Sequence, residues 1–112
     1  MDIPAPPALV TVEHAGKQID AVAQTTKTGF VFLLNRETGK PIFPVKETPV
    51  NTATTLQHEK LWPTQPIPQI PKPLIRQSFD STDLNNLVDA ETYADIKNKF
   101  LQFGPGRLFN PP

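Results

Sequence analysis

The sequence contains no cysteine, which excludes a disulfide scaffold and thiol chemistry and leaves the redox compartment undetermined. It has no excess charge, because eleven Lys and Arg residues balance eleven Asp and Glu residues. This balance does not favour nucleic acid or an anionic membrane as a partner. The sequence also lacks a long apolar run and a signal-peptide pattern, so we expect no membrane segment in this chain.

Proline, by contrast, is abundant. Fourteen of the 112 residues are proline, whereas its ordinary share is roughly 5%. The prolines cluster at both ends and at residues 63–73, so much of the chain is not expected to form regular structure. The length allows one domain at most, and the apolar fraction of 38% is modest.

The clearest pattern surrounds the longest apolar run, FVFLL at residues 30–34. The run is short, rich in aromatic and β-branched side chains and bounded by turn residues, which is typical of a buried strand. A glycine turn at residues 35–40 leads into a returning apolar segment, and this arrangement predicts a β-hairpin. With two upstream segments, the prediction is an antiparallel meander of four strands at residues 8–12, 17–24, 29–35 and 41–45. Such a meander over residues 8–45 is the unit from which propeller blades are built.

The rest of the chain predicts little sheet. Residues 46–79 are polar or proline-rich and are expected to form an irregular excursion, and residues 105–112 an extended tail. Between them, residues 80–104 are predicted to be a helical segment. Asp89 is expected to cap a helix over about residues 90–102, whose apolar face carries Tyr93, Ile96 and Phe100 and which Gly104 stops.

The predicted fold class is therefore mainly β with a helical segment, a propeller-blade-like meander plus a C-terminal helix. We expect residues 1–112 to form a single partial domain, since one four-stranded sheet leaves two faces and two edges uncovered. The alternative is a small standalone α+β domain, in which the helix packs on one side of the sheet.

Two motifs carry a resemblance to a known family. The first, K-T-G-x-x-F-x-L-x-R-x-T-G-x-P-I, begins at Lys27, and the second is P-T-Q-P at residues 63–66. In this order and spacing, after the lead-in DIPAPPALV, the sequence resembles the dehydrogenases that depend on pyrroloquinoline quinone (PQQ), of the membrane-bound glucose/quinate/shikimate type. The resemblance covers essentially the whole chain. Those enzymes are much longer, eight-bladed β-propellers, so we expect the chain to be a fragment of one.

Lys27 is the residue that we expect to bind the cofactor. In the enzymes that the sequence resembles, the lysine of the K-T-G motif contacts the quinone, and the match carries that role onto Lys27. PQQ is a tricarboxylate ortho-quinone, so a nearby ammonium group neutralises charge and polarises a quinone carbonyl for hydride acceptance. From the residues alone, a solvated lysine in a turn is the simpler interpretation.

No catalytic residue is expected within the chain. In the family that it resembles, a W-D-x-D-x-P-A segment carries the catalytic base on its first aspartate, and Asp2 matches only the second. The calcium or magnesium ligands of the family lie in other blades, and the sequence shows no acidic cluster with metal-ligand spacing. We therefore expect the isolated chain to be inactive, to hold no metal and to bind PQQ weakly or not at all.

Two further features of the motifs allow structural interpretations. Arg36 and Gly39 belong to the L-x-R-x-T-G turn, where we expect the arginine to pair within the sheet and the glycine to supply turn geometry. Trp62 precedes the P-T-Q-P motif, and it either lines the substrate-side surface or anchors a loop in the core.

The resemblance implies a function for the parent protein. It would oxidise a sugar or polyol hydroxyl by hydride transfer to PQQ in the periplasm and pass electrons to a quinone acceptor. The partners of this chain would then be the remaining propeller blades. The alternative function is a standalone partner-binding or structural β module without catalysis. Exposed strand edges lead us to expect self-association of the isolated chain.

Overall fold

A three-stranded antiparallel sheet, ordered β1-β2-β3, begins the computed structural model, which describes residues 3–104 and 106–109. Its strands are β1 (Ala8–His14), β2 (Lys17–Thr25) and β3 (Val31–Asn35). The turn between β1 and β2 has only two residues, Ala15 and Gly16, and both have positive φ. This is the backbone geometry of a tight hairpin turn, and it lets β1 extend two residues beyond the predicted strand.

The prediction of a fourth strand in the meander is wrong. Instead of a strand over residues 41–45, a single bridge joins Leu34 to Pro41, next to a hydrogen bond of 2.9 Å from Ile42 N to Leu33 O. Pro41 and Pro44 lack the amide hydrogen that a continuing ladder needs, so pairing along β3 stops after one bridge. The predicted class, mainly β with antiparallel strands and one helical segment, is confirmed.

A two-stranded sheet lies within the segment that was predicted to be irregular. It pairs β4 (Val45–Pro49) with β5 (Thr64–Pro68) in antiparallel register, and a hydrogen bond from Val50 N to Pro63 O continues it. In an antiparallel ladder, residue pairs that are hydrogen-bonded to each other alternate with pairs whose amides point away from the partner strand. The three prolines of this sheet all lie in pairs of the second kind, so their missing amide hydrogens break no bond between the strands. They are Pro49, Pro66 and Pro68.

The predicted helix is confirmed as α1 (Ala90–Phe103). Asp89 caps its start by accepting hydrogen bonds from the Thr92 amide at 2.9 Å and from the Thr92 hydroxyl at 2.7 Å. Both bonds lower the pKa of the Asp89 carboxyl below its usual value, and the bond from the Thr92 amide has the larger effect. Gly104, with a φ of 77°, ends the helix as predicted.

Short elements flank α1. A 3₁₀ turn at Ser81–Asp83 precedes it, and β6 (Ser78–Phe79) pairs with β7 (Gly106–Arg107). The ring of Phe79 meets that of Phe100 edge-on at 5.8 Å, on the apolar face predicted for the helix. Asp2, Pro105 and residues 110–112, on which parts of the sequence interpretation fall, lie outside the described residues.

The described residues bury little apolar surface. Ala21, Phe30 and Pro68 are their buried apolar side chains, and no residue of α1 is buried. The radius of gyration is 18.7 Å, whereas a compact chain of this length would have about 13 Å. Because α1 does not cover the sheet, the described residues do not support the alternative of a standalone α+β domain.

Candidate functional site

The loop between β2 and β3 holds Lys27 in a tight turn. The amide of Gly29 donates to the Thr26 carbonyl at 3.0 Å, which closes a four-residue turn with Lys27 at its second position. The Lys27 side chain is exposed. One further backbone bond of 3.0 Å, from Thr26 N to Phe30 O, joins the two ends of the loop. The ammonium group is therefore carried by a fixed backbone at one end of the sheet. We call residues 26–30 the Lys27 turn.

Thr26 fixes the interior of the Lys27 turn. Among the described residues, Thr26 is the polar residue that is buried, with 8% of its surface exposed. Its hydroxyl oxygen accepts from the Phe30 amide at 3.1 Å and donates to the Phe30 carbonyl at 3.2 Å. Since a hydroxyl has one proton, the Thr28 hydroxyl donates in the contact of 2.9 Å with Thr26. The buried amide of Phe30 thus depends on Thr26.

A remote segment, residues 74–77, holds the Lys27 turn from outside. The Leu74 amide donates to the Gly29 carbonyl at 2.8 Å, and Gln77 Nε2 donates to the Thr28 carbonyl at 3.0 Å. Gly29 has a φ of 78°, and a Cβ at this position would lie 2.4 Å from Cγ1 of Ile75. Glycine is needed here for both its conformation and its lack of a side chain.

The lead-in segment, from Ile3 onward, lies at the same end of the sheet as the Lys27 turn. Ala8, the first residue of β1, pairs with Ala23 in β2, only four residues before Lys27. Gln24 Nε2 donates to the Ala5 carbonyl at 3.0 Å, and Ile3 and Thr26 line one small cavity. The lead-in segment therefore approaches the backbone that carries Lys27.

A cavity of about 770 Å³ adjoins the Lys27 turn, with Phe30 and Gln77 in its wall. Its lining is mostly apolar, and the polar residues in it are Gln77, Asn51 and Arg107. Lys27 does not line this cavity. Its volume falls within the range of small-molecule sites, about 300–1,000 Å³.

Of the other residues that the sequence singled out, Arg36 and Gly39 lie at the opposite end of β3 from the Lys27 turn. Arg36 pairs with Asp20 in the neighbouring strand at 2.5 Å, which confirms the predicted pairing within the sheet. Gly39 has a φ of 68°, as its predicted role in the turn requires. Trp62 exposes 74% of its surface, so it is not a core anchor among the described residues.

Sequence reasoning missed Thr26 and the segment at residues 74–77. Thr26 directly precedes the K-T-G motif, and its position between a strand and a glycine turn was a usable signal. Gln77 lies 49 residues from Thr28 and carries no local pattern that links the two.

Neither a metal site nor a membrane span is found in the described part of the chain. Over residues 3–104 and 106–109, no three His, Asp or Glu side chains group as metal ligands would. Over the same residues, no helix has the length and apolar character that crossing a bilayer requires.

Comparison with known proteins assigns the chain to a class. Residues 1–112 match the family described as "PQQ: Glucose/ethanol/alcohol dehydrogenase, beta-propeller domain". The chain is 44% identical over 72 residues to a quinoprotein glucose dehydrogenase of Gluconobacter oxydans (strain 621H), covering 62% of this chain and 9% of that protein. It is 30% identical over 112 residues to a probable quinate dehydrogenase (quinone) of Xanthomonas campestris pv. juglandis, covering 94% of this chain and 14% of that protein. No solved structure matches it.

These relatives define the class as quinoprotein dehydrogenases with a β-propeller. This chain belongs to the PQQ glucose/ethanol/alcohol dehydrogenase family and falls in its β-propeller domain. The match confirms the resemblance carried by the K-T-G motif. The chain spans only 9% and 14% of the length of the two relatives, so it corresponds to a part of such a protein.

Proposed function

We propose that this chain supplies part of the PQQ site of a dehydrogenase that oxidises a sugar or polyol hydroxyl. The observation that carries the proposal is the Lys27 turn, which holds an exposed lysine on a backbone fixed from inside and from outside. Relatives named for glucose, quinate and glycerol support a hydroxyl-bearing substrate.

The chemistry of Lys27 fits an anionic quinone. When bound, PQQ supplies the acceptor for the hydride that leaves the substrate carbon. Lys27 offers a positive charge to a carboxylate or a carbonyl oxygen of the cofactor, and its fixed backbone means that little reorganisation is needed at the moment of reaction. The metal, calcium or magnesium in this proposal, would be held by other segments.

The rest of the parent protein is the proposed partner of this chain. Large apolar side chains are exposed throughout, among them Leu87 at 91% and Phe103 at 82%. Surfaces of this kind mark sites that other protein elements cover. Neighbouring blades would cover them in the parent, which we place in the periplasm with a quinone as electron acceptor. Without those blades, the same surfaces would favour self-association.

Replacement of Lys27 by alanine tests the proposal. In the native protein that carries this chain, Lys27→Ala is expected to lower kcat/KM for the sugar on the order of 100-fold, by loss of a preorganised positive charge. The melting temperature should change little, because substitutions of exposed side chains usually alter the free energy of unfolding by less than about 0.5 kcal/mol. Steady-state kinetics and a PQQ titration of the cofactor-free protein measure these effects.

Lys40→Ala is the matched control, because Lys40 also adjoins a Thr-Gly turn and is exposed. It should retain the kinetics and the PQQ affinity of the unaltered protein. If Lys27→Ala were as active as Lys40→Ala and bound PQQ as tightly, Lys27 would have no part in the site.

A further inference from the structure

Gln77 is the one side chain of the remote segment that donates a hydrogen bond into the Lys27 turn among the described residues. Its Nε2 donates at 3.0 Å to the Thr28 carbonyl and at 2.9 Å to the Ile75 carbonyl. Both partners are carbonyl oxygens, which only accept, so the nitrogen of the amide must face them. The orientation of the Gln77 side chain is therefore fixed by its partners.

This orientation is unfavourable for the other end of the amide. Gln77 Oε1 is buried and has no hydrogen-bond partner among the described residues. A buried acceptor without a donor destabilises the folded state, and such atoms are uncommon in native structures. Methionine at this position would fill the same space without the unsatisfied oxygen. Packing alone therefore does not explain a glutamine here.

We propose that Gln77 is a positioning residue that sets the backbone of Lys27 for cofactor binding. The peptide carbonyl that it holds belongs to Thr28, the residue after Lys27. Together with the bond from Leu74 to Gly29, it ties the turn to a segment about fifty residues further along the chain. The inference rests on the proposed role of Lys27 and adds that Gln77 contributes to cofactor binding through Lys27.

The test compares Gln77→Met with Gln69→Met in the native protein prepared without cofactor. Gln69 is a matched control, because its Nε2 also donates to a carbonyl two residues earlier, that of Ile67, at 2.9 Å. Only Gln77 also reaches the Lys27 turn. We expect Gln77→Met to weaken PQQ binding about three- to tenfold, the effect of one hydrogen bond, and Gln69→Met to leave it unchanged.

A double-mutant cycle separates positioning from a general structural role. PQQ affinity is measured for Gln77→Met, Lys27→Ala and the double variant by fluorescence titration in the presence of Ca²⁺. If Gln77 acts through Lys27, adding Gln77→Met to Lys27→Ala should change the affinity by less than about 1.5-fold, because the effects of coupled residues do not add. Hydrogen exchange at residues 26–30 should also be faster in Gln77→Met.

The outcomes distinguish this inference from the proposed function. Additive losses of affinity, or an unchanged affinity in Gln77→Met while Lys27→Ala weakens binding, overturn the positioning role and leave Lys27 in the site. An unchanged affinity in Lys27→Ala overturns both. A loss of affinity in both single variants that does not add in the double variant supports both.

Discussion

Two turns flank β3, and both contain the dipeptide Thr-Gly. One is the Lys27 turn, with Thr28 and Gly29, and the other spans residues 35–40, with Thr38 and Gly39. Both glycines have positive φ, 78° and 68°. The two turns are therefore alike in this dipeptide and in the positive φ of its glycine.

They differ in where their stabilising partners come from. In the turn at residues 35–40, the Asn35 side chain accepts from the amides of Glu37 and Thr38 at 3.0 Å and 2.8 Å. A Cβ at Gly39 would meet no atom within 4 Å. The Lys27 turn is held by its own Thr26 and, in addition, by Leu74 and Gln77, which are distant in the sequence.

The comparison shows that the Thr-Gly dipeptide specifies a turn but not its role. A turn satisfied by its own residues needs only local sequence, and its surface stays open to solvent. A turn fixed by a remote segment can hold a functional side chain in one place, because its backbone cannot relax independently. We interpret the Lys27 turn in this way.

Alanine at the two glycines should produce the largest contrast. Gly39→Ala is expected to cost about 1–2 kcal/mol, the strain of positive φ for a residue with a Cβ. Gly29→Ala carries the same strain and also a clash with Ile75, so we expect about 3 kcal/mol or more. Thermal unfolding and hydrogen exchange of the two turns in the native protein measure the difference.

Ile75→Ala provides the control for this contrast. It removes the side-chain atoms nearest to the added Cβ but keeps the Ile75 amide nitrogen, 3.1 Å from it, and the strain in φ. It should therefore restore part of the stability lost in Gly29→Ala. Equal losses in Gly29→Ala and Gly39→Ala would mean that the remote segment does not constrain the Lys27 turn.

Valine at the two threonines should produce a smaller contrast. Thr26→Val leaves the buried amide of Phe30 without its acceptor, so we expect a loss of about 1–3 kcal/mol. Thr38→Val removes an exposed hydroxyl whose neighbours can bond to water, and its effect should stay within about 0.5 kcal/mol. Denaturant unfolding compares the two variants, and a larger loss in Thr38→Val would contradict the assignment of buried and exposed turns.

Removal of the Arg36 side chain should have the smallest effect. Its ion pair with Asp20 joins the turn at residues 35–40 to β2, but the two side chains are 45% and 49% exposed. Exposed pairs contribute about 0.2–1 kcal/mol and are screened by salt. Arg36→Ala should therefore lower the free energy of unfolding by this amount at low salt. The loss should be smaller at about 0.5 M salt, where the screening length is about 4 Å. A loss that salt does not reduce would indicate a role beyond the ion pair.

Local patterns made much of this fold predictable. The apolar run at residues 30–34 predicted β3, because alternation and turn residues act over only a few positions. Asp89 and Gly104 bounded the helix for the same reason, since capping involves neighbouring residues. The glycine two residues after Lys27 predicted the turn that carries the lysine.

Pairing between distant segments was not predictable from such patterns. The sheet of β4 and β5 was missed because its prolines resemble those of an irregular segment, and only the register shows that they break no ladder bond. The role of Gln77 was missed because no sequence pattern links it to Thr28. The predicted fourth strand is wrong because the prediction gave the apolar character of residues 41–45 more weight than the missing amide hydrogens of Pro41 and Pro44.

The sheet of β4 and β5 brings the ends of the excursion together at Val50 and Pro63. This pairing holds the two ends of residues 51–62 in place. Lengthening a loop whose ends are already held costs little, about 0.6 kcal/mol for each doubling of its length. An insertion within residues 51–62 should therefore cost little stability as long as Val50 and Pro63 stay paired.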